Sequence, residues 1–328
     1  MKKKKNIIKI ALVCTAGGHF EQMTNLFDFY TKYNHFWITN DNAQTKSVLK
    51  NEKSYFLTSA HFKKPWTYLA HIPLIFKIFH FEKPTHILST GSGRMGLIPF
   101  LFAKLLKIKF IYIETYSRVN NLTLFGNFIL KFGHPILTQW ENKYKNCTYI
   151  GPIFKSVTTQ EPYSNSGDYI FVSLGTRLEP FTRLLEYIDL LIENGTIREK
   201  VIVQSGNTKY NSEHMEIFDF CSVDKIDQLL INAKFIITQE SAGLATKCLK
   251  LNKKFIVVPR DYAYGELPAK SDMKEDLQYR LEEMGYTKIA LDEIQLADAI
   301  KNLDSLKTGF IFNNKKAIEK LTHLVEDL

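Results

Sequence analysis

The stretch that decides the fold is Ile7-Ile8-Lys9-Ile10-Ala11-Leu12-Val13-Cys14-Thr15-Ala16-Gly17-Gly18-His19. Its apolar part, residues 7–13, has no polar alternation, which is typical of a strand buried on both faces of a parallel sheet. The two glycines predict a tight turn after the strand, and residues 21–26 predict a helix. Strand, glycine turn and helix in this order are typical of a doubly wound α/β domain.

The lysines at residues 2–5, placed before an apolar run, resemble the beginning of a secretory signal peptide. Lys9 interrupts that run, however, and the run leads into the glycine turn. We therefore expect a buried strand here and no secretory leader.

The alternation of strands and helices continues along the chain. Apolar runs predict further strands at 35–39, 86–89, 109–113, 148–150, 168–174, 200–204, 234–238 and 254–258, with helices such as 179–194 and 273–284 between them. Residues 158–167 are polar and rich in turn formers, as in a linker. The chain of 328 residues is thus predicted to form two Rossmann-like α/β domains, 1–155 and 156–328, that face each other across a cleft.

Positive charge is concentrated in the first predicted domain. Residues 1–155 carry 22 basic and 7 acidic side chains, whereas residues 156–328 carry 21 and 27. This asymmetry predicts that the first half contacts an anionic surface. Because its basic residues are dispersed and no platform for stacking bases is identifiable, we expect an anionic membrane surface and no nucleic acid.

One segment of the basic half has the composition of a helix that lies in a membrane interface. Residues 61–83 combine an aromatic-rich apolar stretch with flanking lysines, and the stretch is too short and too interrupted to span a bilayer. An ordinary core helix with basic ends is the alternative. The predicted membrane contacts are Trp66, Tyr68, Ile72, Ile75, Phe76 and Phe79.

The cysteines indicate the compartment. Cys14, Cys147, Cys221 and Cys248 lie far apart and form no Cys-x-x-Cys pair. This spacing gives neither a disulfide framework nor a zinc site, and it suits a reducing cytoplasm. We expect a cytoplasmic protein that is peripheral on the inner face of the plasma membrane.

Three features are predicted to share the carboxyl edge of the first sheet: the turn at Gly17-Gly18-His19, the turn Gly91-Ser92-Gly93-Arg94 and Glu114 at the end of the strand 109–113. Backbone N–H groups of glycine turns hold phosphates, so the two turns and Arg94 are predicted to cradle a diphosphate, with plain structural turns as the alternative. A partly buried carboxylate at this edge suits a general base, with a salt bridge to Arg118 as the alternative role for Glu114. The GxGxxG fingerprint is absent, which opposes a nicotinamide-dependent oxidoreductase or a sugar-nucleotide epimerase.

Several motifs follow one another in a recognisable order. The first half contains Gly17-Gly18-His19-x-x-Gln22-Met23, Pro84-x-x-Ile87-x-Ser89-x-Gly91, Ile111-Tyr112-Ile113-Glu114-Thr115-x-Ser117-Arg118-Val119, Gln139-Trp140 and Tyr149-Ile150-Gly151. This series resembles the acceptor-binding, membrane-associated subunit of the two-subunit UDP-GlcNAc transferase that extends dolichol-diphosphate-GlcNAc. It also resembles the bacterial relatives of that subunit in exopolysaccharide and capsule synthesis.

The second half resembles the donor-binding partner subunit, here fused into one chain. The resemblance is carried by Phe171-Val172-Ser173-Leu174-Gly175-Thr176, Pro180-Phe181-x-Arg183-Leu184, Gln204-Ser205-Gly206, Ile256-Val257-Val258-Pro259-Arg260, Gly265-Glu266 and Gln278. Both halves are similar to the lipid-intermediate GlcNAc transferase of peptidoglycan synthesis. The resemblance implies a GT-B fold with an acceptor-binding first domain and a donor-binding second domain.

The resemblance also implies the reaction. It implies metal-independent, inverting transfer from a UDP-sugar (galactose, glucuronate or GlcNAc) to a polyprenyl-diphosphate-linked sugar, through a β-1,4 linkage, in capsule or exopolysaccharide synthesis. No cofactor is expected beyond the UDP-sugar, and Glu114 or His19 is expected to take the proton of the attacking hydroxyl. The implied acceptor contacts are Gly17, Gly18, His19, Gly91, Ser92, Gly93, Arg94 and Arg118. The implied donor contacts are Gly175, Thr176, Arg177, Gln204, Gly206, Gln239, Glu240, Ser241, Ala242, Gly243, Lys247, Arg260, Glu266 and Gln278.

Three positions depart from the family pattern. Arg177 stands where the relatives carry His, the stretch 238–243 replaces a His-Gly-Gly-like turn, and Lys247 stands where a Glu binds the nucleotide ribose. A lysine cannot accept hydrogen bonds from ribose hydroxyls. Either another residue such as Glu240 binds the ribose, or the donor differs and carries an acidic sugar such as glucuronate. A non-catalytic sugar-nucleotide-binding or scaffold protein with a degenerate donor pocket is the alternative function.

Overall fold

The computed structural model describes residues 7–58, 69–91, 93–141, 144–155, 167–268 and 277–327. The chain divides into two compact units, one formed by Met1–Ser156 together with Phe312–Leu328 and the other by Val157–Ile311. Each unit is built on one parallel sheet with helices on both faces. The predicted pair of doubly wound α/β domains is confirmed.

The sheet of the first unit has seven parallel strands in the order β3-β2-β1-β4-β5-β6-β7. The strands are β1 (Lys9–Val13), β2 (Asn34–Asn40), β3 (Ser54–Leu57), β4 (His86–Thr90), β5 (Lys109–Ile113), β6 (Ile136–Thr138) and β7 (Cys147–Tyr149). The helices are α1 (Gly18–Thr24), α2 (Phe27–Tyr30), α3 (Ala43–Val48), α4 (His71–Glu82), α5 (Gly93–Leu106) and α6 (Leu124–Lys131). The sequence missed β3 and β6, which have four and three residues.

The sheet of the second unit has six parallel strands in the order β10-β9-β8-β11-β12-β13. The strands are β8 (Tyr169–Ser173), β9 (Lys200–Gln204), β10 (Met215–Phe218), β11 (Phe235–Thr238), β12 (Phe255–Val257) and β13 (Thr287–Ile289). The helices are α7 (Thr182–Glu193), α8 (Val223–Asn232), α9 (Ala242–Lys250), α10 (Leu277–Glu283) and α11 (Glu293–Lys301). The sequence missed β10 and β13, which lie at the two edges of this sheet.

The last helix, α12 (Lys315–Glu326), belongs to the first unit. Its side chains Ala317, Leu321 and Val325 are fully buried in the core that also contains Ile10 and Leu12 of β1. An apolar stripe repeating every four residues covers one face of the first sheet. The predicted boundary of the second domain is therefore wrong at its end, because residues 312–328 return to the first unit.

A buried acid ties the end of α4 to the amino edge of the first sheet. Glu82 lies 2.6 Å from Lys9 Nζ and 2.7 Å from Lys53 Nζ, and it accepts a hydrogen bond from the Tyr55 hydroxyl. Burial alone would raise the pKa of Glu82, but these three partners outweigh it and lower the pKa to about 2. A carboxyl with a lowered folded-state pKa stabilises the fold above its unfolded pKa.

We expect Glu82→Gln to lower the free energy of unfolding by about 2 kcal/mol at pH 7, because it leaves two lysines beside an uncharged partner. The difference from the parent should shrink as the pH falls from about 5 towards 2, where the carboxyl takes up its proton. Urea unfolding at several pH values measures the loss of stability at pH 7 and its decrease at low pH. Glu216→Gln removes the exposed pair with Lys200 and serves as the control, with an expected loss below about 1 kcal/mol. A pH-independent difference would contradict this role of Glu82.

Candidate active site

The two glycine turns of the first unit meet at the carboxyl edge of its sheet. Gly91 has a φ of +59°, and a Cβ built on it would lie 2.4 Å from both Cε1 and Nδ1 of His19. The Thr90 hydroxyl donates to the His19 carbonyl oxygen at 2.9 Å. The half-buried imidazole of His19 therefore lies against the second turn, and only glycine fits at position 91.

The glycines of these turns have different surroundings. Gly17, with a φ of +84°, and Gly18 are exposed, and among the described residues a Cβ on either would meet no heavy atom within 4 Å. A Cβ on Gly93, by contrast, would lie 2.8 Å from Cβ of Phe125. The first turn is thus open to a ligand, whereas Gly93 allows close packing of α5 on α6. The predicted contact at Gly93 is not supported by this geometry.

For three other predicted acceptor contacts, the structure gives less information on the position of the side chain. Ser92 lies outside the described residues, and Arg94 is described only as a backbone position in the first turn of α5. Arg118 is half-buried in the turn after β5, where its N–H donates to the Thr115 carbonyl oxygen at 3.1 Å. These contacts stay predictions.

Glu114 lies inside the first unit, not at an open rim. Its residue surface is 1% exposed. Oε1 accepts from the Thr115 N–H at 2.8 Å and the Tyr112 hydroxyl at 3.2 Å, and Oε2 accepts from the N–H and the hydroxyl of Thr123 at 2.9 and 3.0 Å. A Cβ on Gly126 would lie 2.3 Å from Oε2. Burial raises the pKa of Glu114, and these hydrogen bonds oppose the rise.

The sequence predicts a partly buried catalytic carboxylate at the edge of the sheet, and the structure corrects this, because Glu114 is almost completely buried. Glu114 follows Tyr112 by two residues, so both point to the face of the sheet that α6 covers. Its hydrogen bonds join the end of β5 to Thr123, whose hydroxyl caps the beginning of α6. Glu114 therefore positions the loop between β5 and α6, and of the two proposed bases His19 is the one at an open turn.

Buried amides hold the same loop from the other side. Gln22 Oε1 accepts from the Tyr116 N–H at 3.0 Å and from Gln139 Nε2 at 2.7 Å, and Gln22 Nε2 donates to Thr115 Oγ1 at 3.2 Å. The Trp140 indole N–H donates to the Tyr116 carbonyl oxygen at 2.8 Å. Gln22, Gln139 and Trp140 occur in the motifs that carry the resemblance, but the sequence alone indicates no role for them. They fix the loop after β5 to α1.

The second unit has a comparable glycine turn at the carboxyl end of β8. Gly175 has a φ of +73°, and a Cβ on it would lie 1.9 Å from Gln239 Nε2. A Cβ on Gly206, with a φ of +62°, would lie 2.4 Å from the Gly175 carbonyl oxygen. These close approaches bring the ends of β8, β9 and β11 together. Thr176 and Arg177 follow the turn and are exposed.

The beginning of α9 lies at the same edge of the sheet. The Ser241 hydroxyl caps the helix by accepting from the Leu244 N–H at 3.3 Å. With its amide oxygen facing the helix, Gln278 accepts from the N–H groups of Ser241 and Ala242 at 3.2 and 3.3 Å. Gly243 is exposed, and a Cβ on it would meet no heavy atom of a described residue within 4 Å. The first turn of α9 is open to a ligand at Gly243.

Arg260 is buried beneath these turns. Its guanidinium donates to Gln239 Oε1 at 2.5 Å and to the carbonyl oxygens of Leu174 at 3.0 Å, Glu179 at 2.7 Å and Glu266 at 3.3 Å. Burial lowers the pKa of Arg260. All of these acceptors belong to the chain, so Arg260 links the loops of the site to one another.

Glu266 is held in a buried ion pair with Arg183. Arg183 Nε and Nη2 donate to Oε1 and Oε2 of Glu266 at 3.0 and 2.8 Å, and Oε2 also accepts from the Asp261 N–H at 2.8 Å. A direct contact between Glu266 and a sugar would require it to give up one of these bonds.

The predicted donor contacts thus form two groups. Six are buried and packed or bonded within the chain: Gln204, Gly206, Gln239, Arg260, Glu266 and Gln278. The others are exposed or half-exposed: Gly175, Thr176, Arg177, Glu240, Ser241, Ala242, Gly243 and Lys247. The geometry supports positioning roles for the first group and leaves the second group accessible to a donor.

Lys247 has an acidic partner within its own unit. Its Nζ lies 2.5 Å from Asp227 Oδ1 of α8, so its charge is already paired. Glu240 accepts from the Arg260 N–H at 2.7 Å, and burial raises its pKa. Asp227 thus lies beside the last turn of α9, and Glu240 directly precedes the helix.

Phe220, which follows β10, is a residue that the sequence analysis missed. Its ring is exposed, and its Cε1 is 3.8 Å from a Cβ built on Gly206. An exposed ring beside the glycine turns suits a nucleobase. No pattern in the sequence distinguishes it from the many other phenylalanines.

The predicted membrane segment is only partly exposed. Ile72 and Phe76 of α4 are exposed, whereas Ile75 and Phe79 are buried in the core of the first unit. The prediction for Ile75 and Phe79 is wrong, because they lie on the stripe of α4 that packs on the sheet. Trp66 and Tyr68 lie outside the described residues. Within the described ranges, none of the helices combines the length and the apolar character that crossing a bilayer requires.

Among the residues that the structure describes, no group of three or more His, Cys, Asp and Glu side chains is placed to hold a metal ion. Metal-independent transfer stays a prediction.

Comparison with solved structures identifies the fold. MurG from Acinetobacter baumannii superposes with a TM-score of 0.61 at 14% identity, over 98% of this chain and all of that one. The UDP-GlcNAc 2-epimerase of Methanocaldococcus jannaschii, solved with UDP-GlcNAc and UDP, superposes with a TM-score of 0.64 at 14% identity, over 97% of this chain and 99% of that one. These likenesses confirm the GT-B architecture.

Comparison of sequences identifies the family. No family profile matches the chain. The ALG14 subunit of the UDP-N-acetylglucosamine transferase of Candida albicans is 29% identical over 171 residues, which span 44% of this chain and 78% of that protein. The alg14 subunit of Schizosaccharomyces pombe is 30% identical over 180 residues, which span 45% of this chain and 85% of that protein. The chain therefore belongs to the family of the UDP-N-acetylglucosamine transferase subunit alg14.

Proposed function

We propose that this chain is an inverting glycosyltransferase that moves a sugar from a UDP-sugar to a sugar carried on a polyprenyl diphosphate. The observation that carries the proposal is the relationship to alg14, which covers most of that subunit but less than half of this chain. The first unit would bind the acceptor. The second unit, with its own open turns at the carboxyl edge of a parallel sheet, would supply the donor site in the same chain.

The donor diphosphate would bind at the beginning of α9. The exposed Gly243 and the positive end of the helix dipole favour an anion there. Arg177 and Thr176 are exposed after the neighbouring turn and would hold the same oxygens. As the bond between the anomeric carbon and the diphosphate oxygen breaks, UDP leaves with the electron pair, and these groups stabilise its charge in the absence of a metal.

The acceptor would bind at the open turn of Gly17 and Gly18. Its hydroxyl attacks the anomeric carbon from the face opposite UDP, which inverts the configuration. His19 takes the proton of that hydroxyl, because its imidazole is at the open turn and is held against Gly91. Glu114 and Gln22 fix the neighbouring loop and do not touch the reacting atoms.

The donor sugar would be GlcNAc, which is the sugar named for both relatives. The pairing of Lys247 with Asp227 removes the main reason to expect an acidic donor sugar, since the lysine charge is already neutralised. Asp227 or Glu240 would accept the ribose hydroxyls. A β-1,4 linkage and a role in capsule or exopolysaccharide synthesis complete the proposal.

A thermal-shift screen with UDP, GDP, CMP and their sugars, with EDTA present, tests the donor. A ligand at 100 times its dissociation constant stabilises the protein by about 2.7 kcal/mol, which raises the melting temperature by several degrees. We expect a shift with UDP and with UDP-GlcNAc. A shift only with GDP or CMP compounds, or no shift at all, would contradict the proposed donor.

Membrane attachment would use an apolar face formed by α4, α5 and α6. Phe76 of α4 lies 6.0 Å from Phe102 of α5, and Phe100 of α5 lies 6.3 Å from Phe132 after α6, ring centre to ring centre. The exposed apolar residues of this face are Ile72, Phe76, Leu101, Leu105, Leu106, Leu124 and Phe132. Exposed lysines surround them at positions 77, 104, 107 and 131. Apolar side chains edged by lysines suit an anionic membrane interface.

We expect Leu105→Glu to weaken binding to phosphatidylglycerol-containing vesicles by about tenfold, because the 73% exposed leucine would lose its insertion into the interface. Co-sedimentation with vesicles measures the change. Leu190→Glu changes an exposed leucine of the second unit and is the matched control. Equal binding of both variants and the parent would contradict the assignment of this face.

A further inference from the structure

We propose that the exposed ring of Tyr264, on a loop that also carries Tyr262, is an aromatic platform that binds the face of a pyranose ring, an inference that rests on the proposed function. Both tyrosines lie in the 3₁₀ turn Tyr262–Tyr264, which follows β12, and they are 52% and 65% exposed. No residue of this turn is buried. Exposed aromatic side chains on a loop that is held in place are typical of binding sites.

The loop is held by its own hydrogen bonds. Asp261 Oδ1 accepts from the Ala263 N–H at 2.8 Å, and the Gly265 N–H donates to the Tyr262 carbonyl oxygen at 3.0 Å. The Asp261 N–H donates to Glu266, which is itself buried in the ion pair with Arg183. Because the loop is ordered before a ligand arrives, little conformational entropy is lost on binding.

Arg183 also fixes the plane of one ring. Its guanidinium carbon lies 4.8 Å from the centre of the Tyr264 ring. One face of the ring thus lies on a buried cation, and the exposure of Tyr264 means that the opposite face is open to solvent. A pyranose presents C–H groups on one face and hydroxyls around its edge, so it can stack on such a ring while its hydroxyls stay hydrated. Arg183 and Glu266 are positioning residues in this arrangement.

The loop is joined to the turn that would hold the donor. Strand β12 lies beside β11, which lies beside β8, so the loops after all three share one edge of the sheet. Arg260 connects them, since it donates to the carbonyl oxygens of both Leu174 and Glu266. A pyranose on the platform would be the sugar of the UDP donor or the terminal sugar of the lipid-linked acceptor, and both present the same C–H face.

The double variant Tyr262→Ala/Tyr264→Ala tests the platform. Calorimetry gives the affinities for UDP and UDP-GlcNAc, and initial rates give the KM for a polyprenyl-diphosphate-GlcNAc acceptor. A roughly tenfold loss for UDP-GlcNAc with unchanged UDP binding identifies the donor sugar as the ligand. A roughly tenfold rise in acceptor KM with unchanged UDP-GlcNAc binding identifies the acceptor sugar. Unchanged values in all three measurements would overturn the proposal.

Two further variants separate stacking from other effects. Tyr262→Phe/Tyr264→Phe keeps both rings and should restore most of the lost affinity or KM, and failure to restore it would overturn stacking. Ile294→Ala removes an exposed side chain of α11 and should change neither value. Melting temperatures of all variants should match that of the parent, because the altered side chains are at the surface.

A readout without catalysis distinguishes this proposal from the proposed function. Saturation-transfer NMR with methyl N-acetylglucosaminide should show contact with the parent protein and lose it in the double alanine variant. If the parent transfers no sugar but shows this contact, the transferase function fails and the platform stands. In the opposite case, the parent transfers sugar while the double alanine variant has the same kinetics and the same NMR contact. That result would contradict the platform and leave the proposed function intact.

Discussion

Replacement of His19 by alanine is expected to lower the turnover of sugar transfer by about two to four orders of magnitude. His19 is a half-buried residue at an open turn, whereas both oxygens of the other candidate base, Glu114, are occupied by hydrogen bonds within the chain. Initial rates at saturating donor and acceptor measure the effect, and UDP affinity should stay near that of the parent. Activity within tenfold of the parent would contradict the role of His19.

Gly91→Ala is expected to displace the imidazole of His19 without removing it. A Cβ at position 91 would lie 2.4 Å from two ring atoms, so His19 must move and turnover should fall at least about tenfold. Gly133→Ala is the matched control, because Gly133 also has a positive φ, +68°, but a Cβ there meets no described residue within 4 Å. Both variants share the backbone strain of about 1 kcal/mol, and only Gly91→Ala should lose activity.

Gly175→Ala is expected to weaken UDP binding by at least about tenfold and to lower the free energy of unfolding by about 3 kcal/mol. A Cβ at position 175 would lie 1.9 Å from Gln239 Nε2, and Gln239 cannot move without disturbing its bond to the buried Arg260. The strain of an alanine at a φ of +73° adds about 1 kcal/mol. Calorimetry with UDP and urea unfolding measure the two effects.

The control for this variant is Gly195→Ala at the end of α7. Gly195 has a φ of +76°, and in the described part of the chain no heavy atom lies within 4 Å of a Cβ built there. We expect a loss of about 1 kcal/mol of stability from backbone strain and no change in UDP binding. If Gly175→Ala bound UDP as well as Gly195→Ala does, the turn after β8 would have no part in the donor site.

The doubly wound fold could be predicted because its central strands are continuous apolar runs. β1, β5 and β8 are buried on both faces, and such runs stand out in the sequence. The missed strands are short or lie at sheet edges, as β3 shows with only Leu57 buried. In such strands, pairing with a neighbour outweighs the weak local pattern.

The end of the chain shows a different limit. The apolar stripe Ala317, Leu321 and Val325 is visible in the sequence and predicts a helix that packs on a core. The helix could pack on either of the two sheets, and it shares its core with residues such as Ile10, about 300 positions earlier in the chain. No local pattern carries that information.

The sequence was sufficient to locate the candidate site, but not to tell which of its residues face a ligand and which only support the structure. The sequence places Gly17, Gly91, Gly93 and Gly175 in turns at strand ends, and only their neighbours show which of them faces a ligand. For Glu114 a signal was present, because the two-residue spacing from Tyr112 puts both side chains on one face of the sheet. The sequence pattern does not show, however, that α6 covers this face, because the packing of a helix on a sheet depends on the tertiary structure.

The most direct test is transfer by the purified chain alone. Radiolabelled UDP-GlcNAc is incubated with vesicles that contain polyprenyl-diphosphate-GlcNAc, and label in the lipid fraction is measured for the parent and for His19→Ala. We predict label in the lipid with the parent, and a loss of at least a hundredfold in its rate of appearance with His19→Ala. No lipid-linked label from UDP-GlcNAc, UDP-galactose or UDP-glucuronate, with a parent protein that is folded and membrane-bound, would contradict the proposal that this chain is a complete transferase.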